Sequence, residues 1–192
     1  LDTIVWLIEG GMTDDAVEMI SSLSIFFRTS LSKGNDIIPL SEEKRHTLSY
    51  LEIQQFRYRD ILEFELSIPK ELDGIQVPKL SIQPLAENAI LHGLSGVQDG
   101  RLTVTAREEG GVLEICVLDN GCGFPAEMLG PYQAPEQQTG HLGLINVDTI
   151  LRKHYGESFG LRLENRKDGA GACITARLPA RRRGADAAGD GC

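Results

Sequence analysis

The chain has no excess of positive charge. Its 19 Lys and Arg face 28 Asp and Glu, for a formal net charge of −9 over 192 residues. Nucleic acid calls for a basic patch, so this balance argues against such a partner. The one dense basic run, Arg181-Arg182-Arg183, lies in a Gly/Ala-rich end that reads as a disordered tail. Cysteine is sparse. No two of Cys116, Cys122, Cys173 and Cys192 have CxxC spacing, so neither structural zinc nor a redox motif is expected. A reducing compartment fits best. No stretch approaches the roughly 20 apolar residues that cross a bilayer, and there is no signal peptide. There is no GxxxxGK[ST], hence no P-loop, and no GxGxxG follows a strand. The chain opens on Leu1-Asp2-Thr3 rather than Met, and is expected to be a piece of a longer protein.

What is present is enough for a real core: 41% of residues are hydrophobic. Residues 1–9 read as the end of a helix stopped by Gly10-Gly11. Thr13 caps a second helix, with Asp14 and Asp15 in its first turn and Ala16, Ile20, Leu23, Phe27 and Leu31 at helical spacing. This pair leaves an apolar stripe that needs a partner, in the rest of the chain or in a second subunit. Ser41 is expected to cap a third helix, to about residue 59. Alternation at Leu62, Phe64, Leu66 and Ile68 predicts a strand, and Pro69 and Pro78 bracket a loop. A helix over 81–92 tolerates Pro84 in its first turn. Two strands, 102–107 and 113–117, flank a turn at Glu109-Gly110-Gly111. Residues 121–140 form a long loop, 142–154 a helix, and 161–178 a hairpin. Five mostly antiparallel strands with helices on one face make an α+β two-layer sandwich.

Three segments carry candidate chemistry. The first, over 83–93, places Asn88 among apolar helix positions, with Glu87 and His92 beside it. An Asn oxygen is a hard ligand suited to Mg2+ shared with phosphates. The same Asn also suits a hydrogen-bonded core. The second, Asp119-Asn120-Gly121-Cys122-Gly123, ends a buried strand. Its carboxylate can accept a hydrogen bond from an adenine amino group, and its glycines admit close backbone approach. It is also ordinary turn chemistry. The third, Gly140-His141-Leu142-Gly143-Leu144, opens a helix whose free amides attract phosphate, or is a plain glycine hinge.

In this order the three segments resemble the GHKL superfamily with the Bergerat ATP-binding fold, which includes gyrase, MutL, the large heat-shock chaperones and histidine kinases. Within it the chain is similar to sensor histidine kinases of the LytS/YehU type. Arg28-Thr29-Ser30-Leu31, Tyr50 to Arg57, Asn146-Val147 and Tyr155-Gly156-Glu157 extend the likeness over nearly the whole chain. The resemblance implies that Asn88 binds Mg2+ and Asp119 contacts adenine of ATP. Gly121, Gly123, His141, Leu142, Gly143, Leu144 and His92 would form the rest of the nucleotide pocket. Glu87 would lie near the phosphates as a candidate catalytic residue. Residues 1–40 would be part of a dimerisation region, 41–180 the ATP-binding catalytic domain, and 181–192 a tail. The parent would be a homodimer passing phosphate to a response regulator, with this portion cytoplasmic and any membrane segment elsewhere.

Departures are expected to weaken ATP binding without abolishing it. Leu91 stands where a basic residue is common, His141 and Thr149 replace a glycine and an arginine, and Ala172 replaces a threonine. The family's phosphorylated His-Phe-Leu-x-Asn motif is absent. His46 reads as solvated helix surface, His92 and His141 belong to the boxes, and His154 ends a helix. The chain is therefore expected to lack its own acceptor. A non-catalytic ATP-binding regulatory module of the same fold is the alternative. A gyrase-like ATPase using Glu87 as base is disfavoured by the helical leader before Ser41.

Overall fold

A computed structural model describes residues 2–31, 36–58, 61–133 and 142–183, with the backbone alone for 29–31. Helix α1 (Asp2–Glu9) stops at Gly10-Gly11, where Gly11 takes φ +74°, and α2 (Thr13–Leu31) follows. Strand β1 (Ile37–Pro39) leads into α3 (Leu40–Arg57) and β2 (Leu62–Ser67). Next come β3 (Gln76–Pro78), α4 (Gln83–Asn88), β4 (Gly100–Glu109) and β5 (Val112–Asp119). The chain then forms β6 (Gly130–Pro131), α5 (Leu142–Tyr155), β7 (Gly160–Asn165) and β8 (Ala172–Pro179).

Six strands form one sheet in the order β2-β4-β5-β8-β7-β6. Only β2–β4 is parallel; the other four pairings are antiparallel. Gly110 and Gly111, both at positive φ, make the tight β4–β5 hairpin. Burial alternates residue by residue along β5 and β8, because α3, α4 and α5 cover one face of the sheet and leave the other open. Ile115 and Val117 of β5 and Ile174 of β8 meet Leu51, Leu85, Leu144 and Leu151 of the helices in one core. Each such side chain contributes roughly 1.5–3 kcal/mol relative to exposure. This is the expected two-layer α+β sandwich.

The expected five strands are too few. β1, ahead of α3, pairs in a separate two-stranded sheet with β3, which lies at the end of what reads as a loop between Pro69 and Pro78. β6 is a two-residue edge strand within the expected long loop; its Pro131 is tolerated because an edge leaves one N–H side unused. Ser41 does not cap α3. Pro39 holds the cap position without a side-chain bond. The first helical amides are met instead by backbone: Leu40 N donates to Ile75 O (2.8 Å) and Ser41 N to Asp73 O (3.1 Å).

A second, smaller core joins α1 and α2 to the far side of α3: Ile4, Leu7, Ala16 and Met19 pack with Leu23, Ile53 and Phe56. Ser22 Oγ donates to Glu52 Oε2 across α2–α3 (2.6 Å). The apolar stripe of the leader is only partly covered. Trp6, Ile8, Val17, Ile20 and Phe27 remain exposed.

Two further corrections concern charged and sulfur side chains. His46 is not solvated: it is buried, its ring stacked on Phe26 with centroids 5.0 Å apart. Burial holds its pKa below the ordinary imidazole value, and nearby Lys79 adds to this. Cys116 of β5 and Cys173 of β8 are joined in a disulfide, so the lack of close spacing did not exclude a thiol pair. At the head of the expected tail, Arg181 O accepts from Gln76 N (2.7 Å) and Arg182 pairs with Glu108 (2.7 Å). Residues 184–192 lie outside the described residues.

Candidate functional site

Helix α4 begins the site. Pro84 sits in its first turn, where no amide donor is needed. After Asn88 the helix widens into a π turn, Ala89–Gly93, a local form frequent at functional sites. The approach to α4 is unusual, since Leu80 takes φ +60° without being a glycine. A buried carboxylate holds it there: Glu43 of α3 accepts from Leu80 N and Ile82 N, both at 2.9 Å. Burial raises the Glu43 pKa, and those backbone bonds offset part of the rise. Sequence reasoning missed Glu43. The available signal was its spacing with Leu40, Thr47, Tyr50 and Leu51, which puts an acid on the buried face of the helix.

Between α4 and the start of α5 lies a cavity of ≈ 210 Å³, lined by Pro84, Glu87, Asn88, Leu91, His92, Leu142, Gly143 and Leu144. Two segments 50 residues apart thus meet as the sequence order suggested. Asn88 and Leu144 are buried, while Glu87, Leu91, His92 and Leu142 are exposed. A Cβ on Gly143 would stand 3.2 Å from Pro84 Cβ, so a larger residue would push α5 off α4. Among the described residues, no three His, Cys, Asp or Glu side chains gather to hold a metal by themselves. His141 and Gly140 lie outside the described residues.

Asp119 does not line this cavity; it sits behind Gly93. Its carboxylate is buried, with Oδ1 accepting from Gly121 N (2.8 Å) and Ala172 N (3.3 Å). Burial raises its pKa; those two bonds and Arg166 lower it in part. A Cβ on Gly93 would reach within 2.9 Å of that carboxylate, and a Cβ on Gly121 would overlap Gly93 O. Gly93 O also accepts from Cys122 N (3.0 Å). The first and second segments therefore touch backbone to backbone, which only glycine permits. Asn120 fastens the turn: its Oδ1 accepts from Arg101 N (2.7 Å) and its Nδ2 donates to Asp99 O (2.8 Å). Gly123, at φ +74°, lies against Asn165, whose amide brackets Phe124 through N (2.7 Å) and O (2.9 Å). At Gly171 a Cβ would overlap Asp119 O.

A second support was also missed. Asp148 of α5 is buried and accepts from Leu161 N (2.8 Å) and Arg152 Nε (2.7 Å). Arg152 in turn donates to Tyr132 O and Glu157 O, each at 3.2 Å. This chain ties α5 to β7 and to the segment after β6. The i,i+4 spacing of Asp148 and Arg152 was visible but gave no sign of burial. Thr149, beside Asp148, is exposed.

Residues 77–182 match the family described as histidine kinase-, DNA gyrase B- and HSP90-like ATPase, and residues 1–62 match the histidine kinase family. The chain belongs to the histidine kinase-like ATPase family. The sensor histidine kinase BtsS of Escherichia coli K12 is 35% identical over 168 residues, covering 87% of this chain and 28% of BtsS. The sensor protein LytS of Oceanobacillus iheyensis is 31% identical, covering 82% of this chain and 28% of LytS. This ATPase-family chain thus spans under a third of the length of these relatives. Its fold matches the catalytic domain of the histidine kinase ThkA at TM-score 0.58 and 17% identity, over 76% of this chain and 97% of that one. ThkA in complex with the response regulator TrrA matches at TM-score 0.55 and 18% identity, over 86% of this chain and 49% of that one.

Proposed function

We propose that the chain is the ATP-binding catalytic portion of a sensor histidine kinase, passing the γ-phosphoryl of ATP to a histidine outside residues 1–192 and thence to a response regulator. The observation that carries this reading is the juxtaposition of the Asn88–Gly143 cavity with the buried carboxylate of Asp119. Residues 1–40 would serve dimerisation, 41–180 ATP binding, and 181–192 would be a tail. The portion would be cytoplasmic, its parent reaching the membrane through other segments.

The residues present fit Mg2+ and ATP. Asn88 and Glu87 offer hard oxygen donors on one side of the cavity, suited to a cation that keeps phosphate and water ligands. Bound there, Mg2+ would neutralise charge developing on the transferred phosphoryl group. Amides opening α5 around Leu142, Gly143 and Leu144 would bind phosphate oxygens, together with His92 and His141. Asp119 would accept from the adenine amino group, with Gly121 and Gly123 holding the backbone close. The carboxylate already accepts two backbone donors through Oδ1, which leaves Oδ2 for the base. Glu87, beside Asn88 at the cavity wall, would orient the incoming imidazole or take its proton. The burial of His46 under Phe26 and the place of His92 in the cavity wall support an acceptor other than these two.

The complete parent protein, incubated with γ-labelled ATP and Mg2+, should acquire acid-labile, base-stable label on a histidine outside this chain. Nucleotide binding without any such label would favour the non-catalytic regulatory module.

A further inference from the structure

Cys116 and Cys173 are 57 residues apart in sequence, and only the β5–β8 register brings them together. Cys116 lies opposite Thr175 and Cys173 opposite Leu118, so the two cysteines are diagonal neighbours. Their Cα atoms are 6.4 Å apart, inside the window a disulfide spans. Both side chains are on the open face of the sheet and half-buried, within reach of a small reagent. The next register step is the candidate adenine end. Ala172, adjacent to Cys173, donates its amide to Asp119, the last residue of β5. Gly171 presses on Asp119 O. A link at Cys116–Cys173 therefore clamps the two strand ends that hold this carboxylate.

We propose that Cys116 and Cys173 form a reversible thiol–disulfide site that stiffens the Asp119 end of the sheet when oxidised. It rests on the proposed function in one respect: an ATP-using domain faces a reducing compartment, where disulfides are usually transient and redox-sensing rather than permanent. The oxidant is a low-molecular-weight disulfide such as oxidised glutathione. The thiolate of one cysteine attacks a sulfur of that disulfide, and one glutathione thiolate leaves. The second cysteine thiolate then attacks the protein sulfur of the mixed disulfide and expels the other. Two protein thiols are oxidised by two electrons, and glutathione disulfide is reduced to two thiols that take up the two protons.

The test uses the chain carrying Cys122→Ser and Cys192→Ser, equilibrated without nucleotide across glutathione redox ratios. Thiol alkylation and peptide mass should reveal a Cys116–Cys173 cross-link that forms and is reversed within the series. Closing a loop of this length should raise the melting temperature by about 10 °C. Amide exchange at Gly121 and Ala172 should slow severalfold on oxidation. Cys173→Ser and Cys116→Ser should each remove both effects. Two free thiols at every ratio would overturn the proposal. So would a cross-link that no thiol buffer reverses, or unchanged exchange at Gly121 and Ala172. Because nucleotide is absent throughout, failure here leaves the ATP reading standing, and failure of ATP binding leaves this result interpretable.

Discussion

Asp119 carries a cost in the free protein, since a carboxylate inside the fold is held partly against its ionisation. Asp119→Asn retains an oxygen for Gly121 N and Ala172 N but turns an amide donor toward the adenine amino group. Affinity for ATP should fall by about 10- to 100-fold, the range of one mispaired buried donor. The melting temperature should not fall, because a buried ionisable group has been removed. Calorimetric titration and a thermal melt on the same sample check the pair of results. The pH dependence has a definite sign. The folded pKa of Asp119 is above its unfolded value, so the contribution of this group favours folding at low pH and diminishes as pH rises between the two values. Nucleotide affinity should do the opposite, rising with pH as the carboxylate ionises. Gly121 gives a steric counterpart. Gly121→Ala puts a methyl onto Gly93 O and should destabilise by about 2 kcal/mol in urea unfolding, the usual scale for overpacking. Asn88, Asp119 and the glycines could be nominated from the sequence because donor type and lack of Cβ are properties of single residues. Glu43, Asp148 and the Cys116–Cys173 pair were not, because their roles come from partners 13 to 57 residues away.

At the level of elements, the site depends on how α4 is entered and how α5 is anchored. Glu43 reaches from α3 to the two amides of the Leu80–Ile82 turn. Glu43→Ala would leave two buried donors unmet, costing roughly 2–6 kcal/mol at 1–3 kcal/mol for each group. ATP affinity should fall as well, although Glu43 lines no part of the cavity, because α4 carries Glu87 and Asn88. Urea unfolding and titration measure the two effects separately. An undiminished affinity would mean that α4 is positioned without this turn. Long periodic elements were readable in advance: α2, β4, β5 and α5 lie within a residue or two of their expected limits. β1, β3 and β6, at two or three residues each, are too short for any periodicity to register. The π turn was also invisible, because Ala89 to Gly93 continues an ordinary helical apolar pattern.

For the whole molecule, the leader helices raise the question of assembly. The small core fixes α1 and α2 to α3, yet Trp6 (60% exposed), Val17 (58%) and Phe27 (52%) face outward. Val17, Ile20 and Phe27 lie at i, i+3 and i+10, along one side of α2. A second copy would bury this stripe in a symmetric helical interface. Sedimentation equilibrium should show reversible dimers, with Ile20→Glu shifting them to monomers while leaving ATP binding intact. A wild-type chain that stays monomeric at high concentration would remove residues 1–40 from the proposed dimer interface.

The central claim is that the Asn88–Gly143 cavity and Asp119 form one ATP site. Isothermal titration of ATP with Mg2+ into the 192-residue chain tests it most directly. One saturable site per chain is expected, abolished or strongly weakened in both Asn88→Ala and Asp119→Ala while each variant keeps a cooperative thermal transition. A folded wild-type chain that takes up no ATP, or variants that bind as well as wild type, would contradict it.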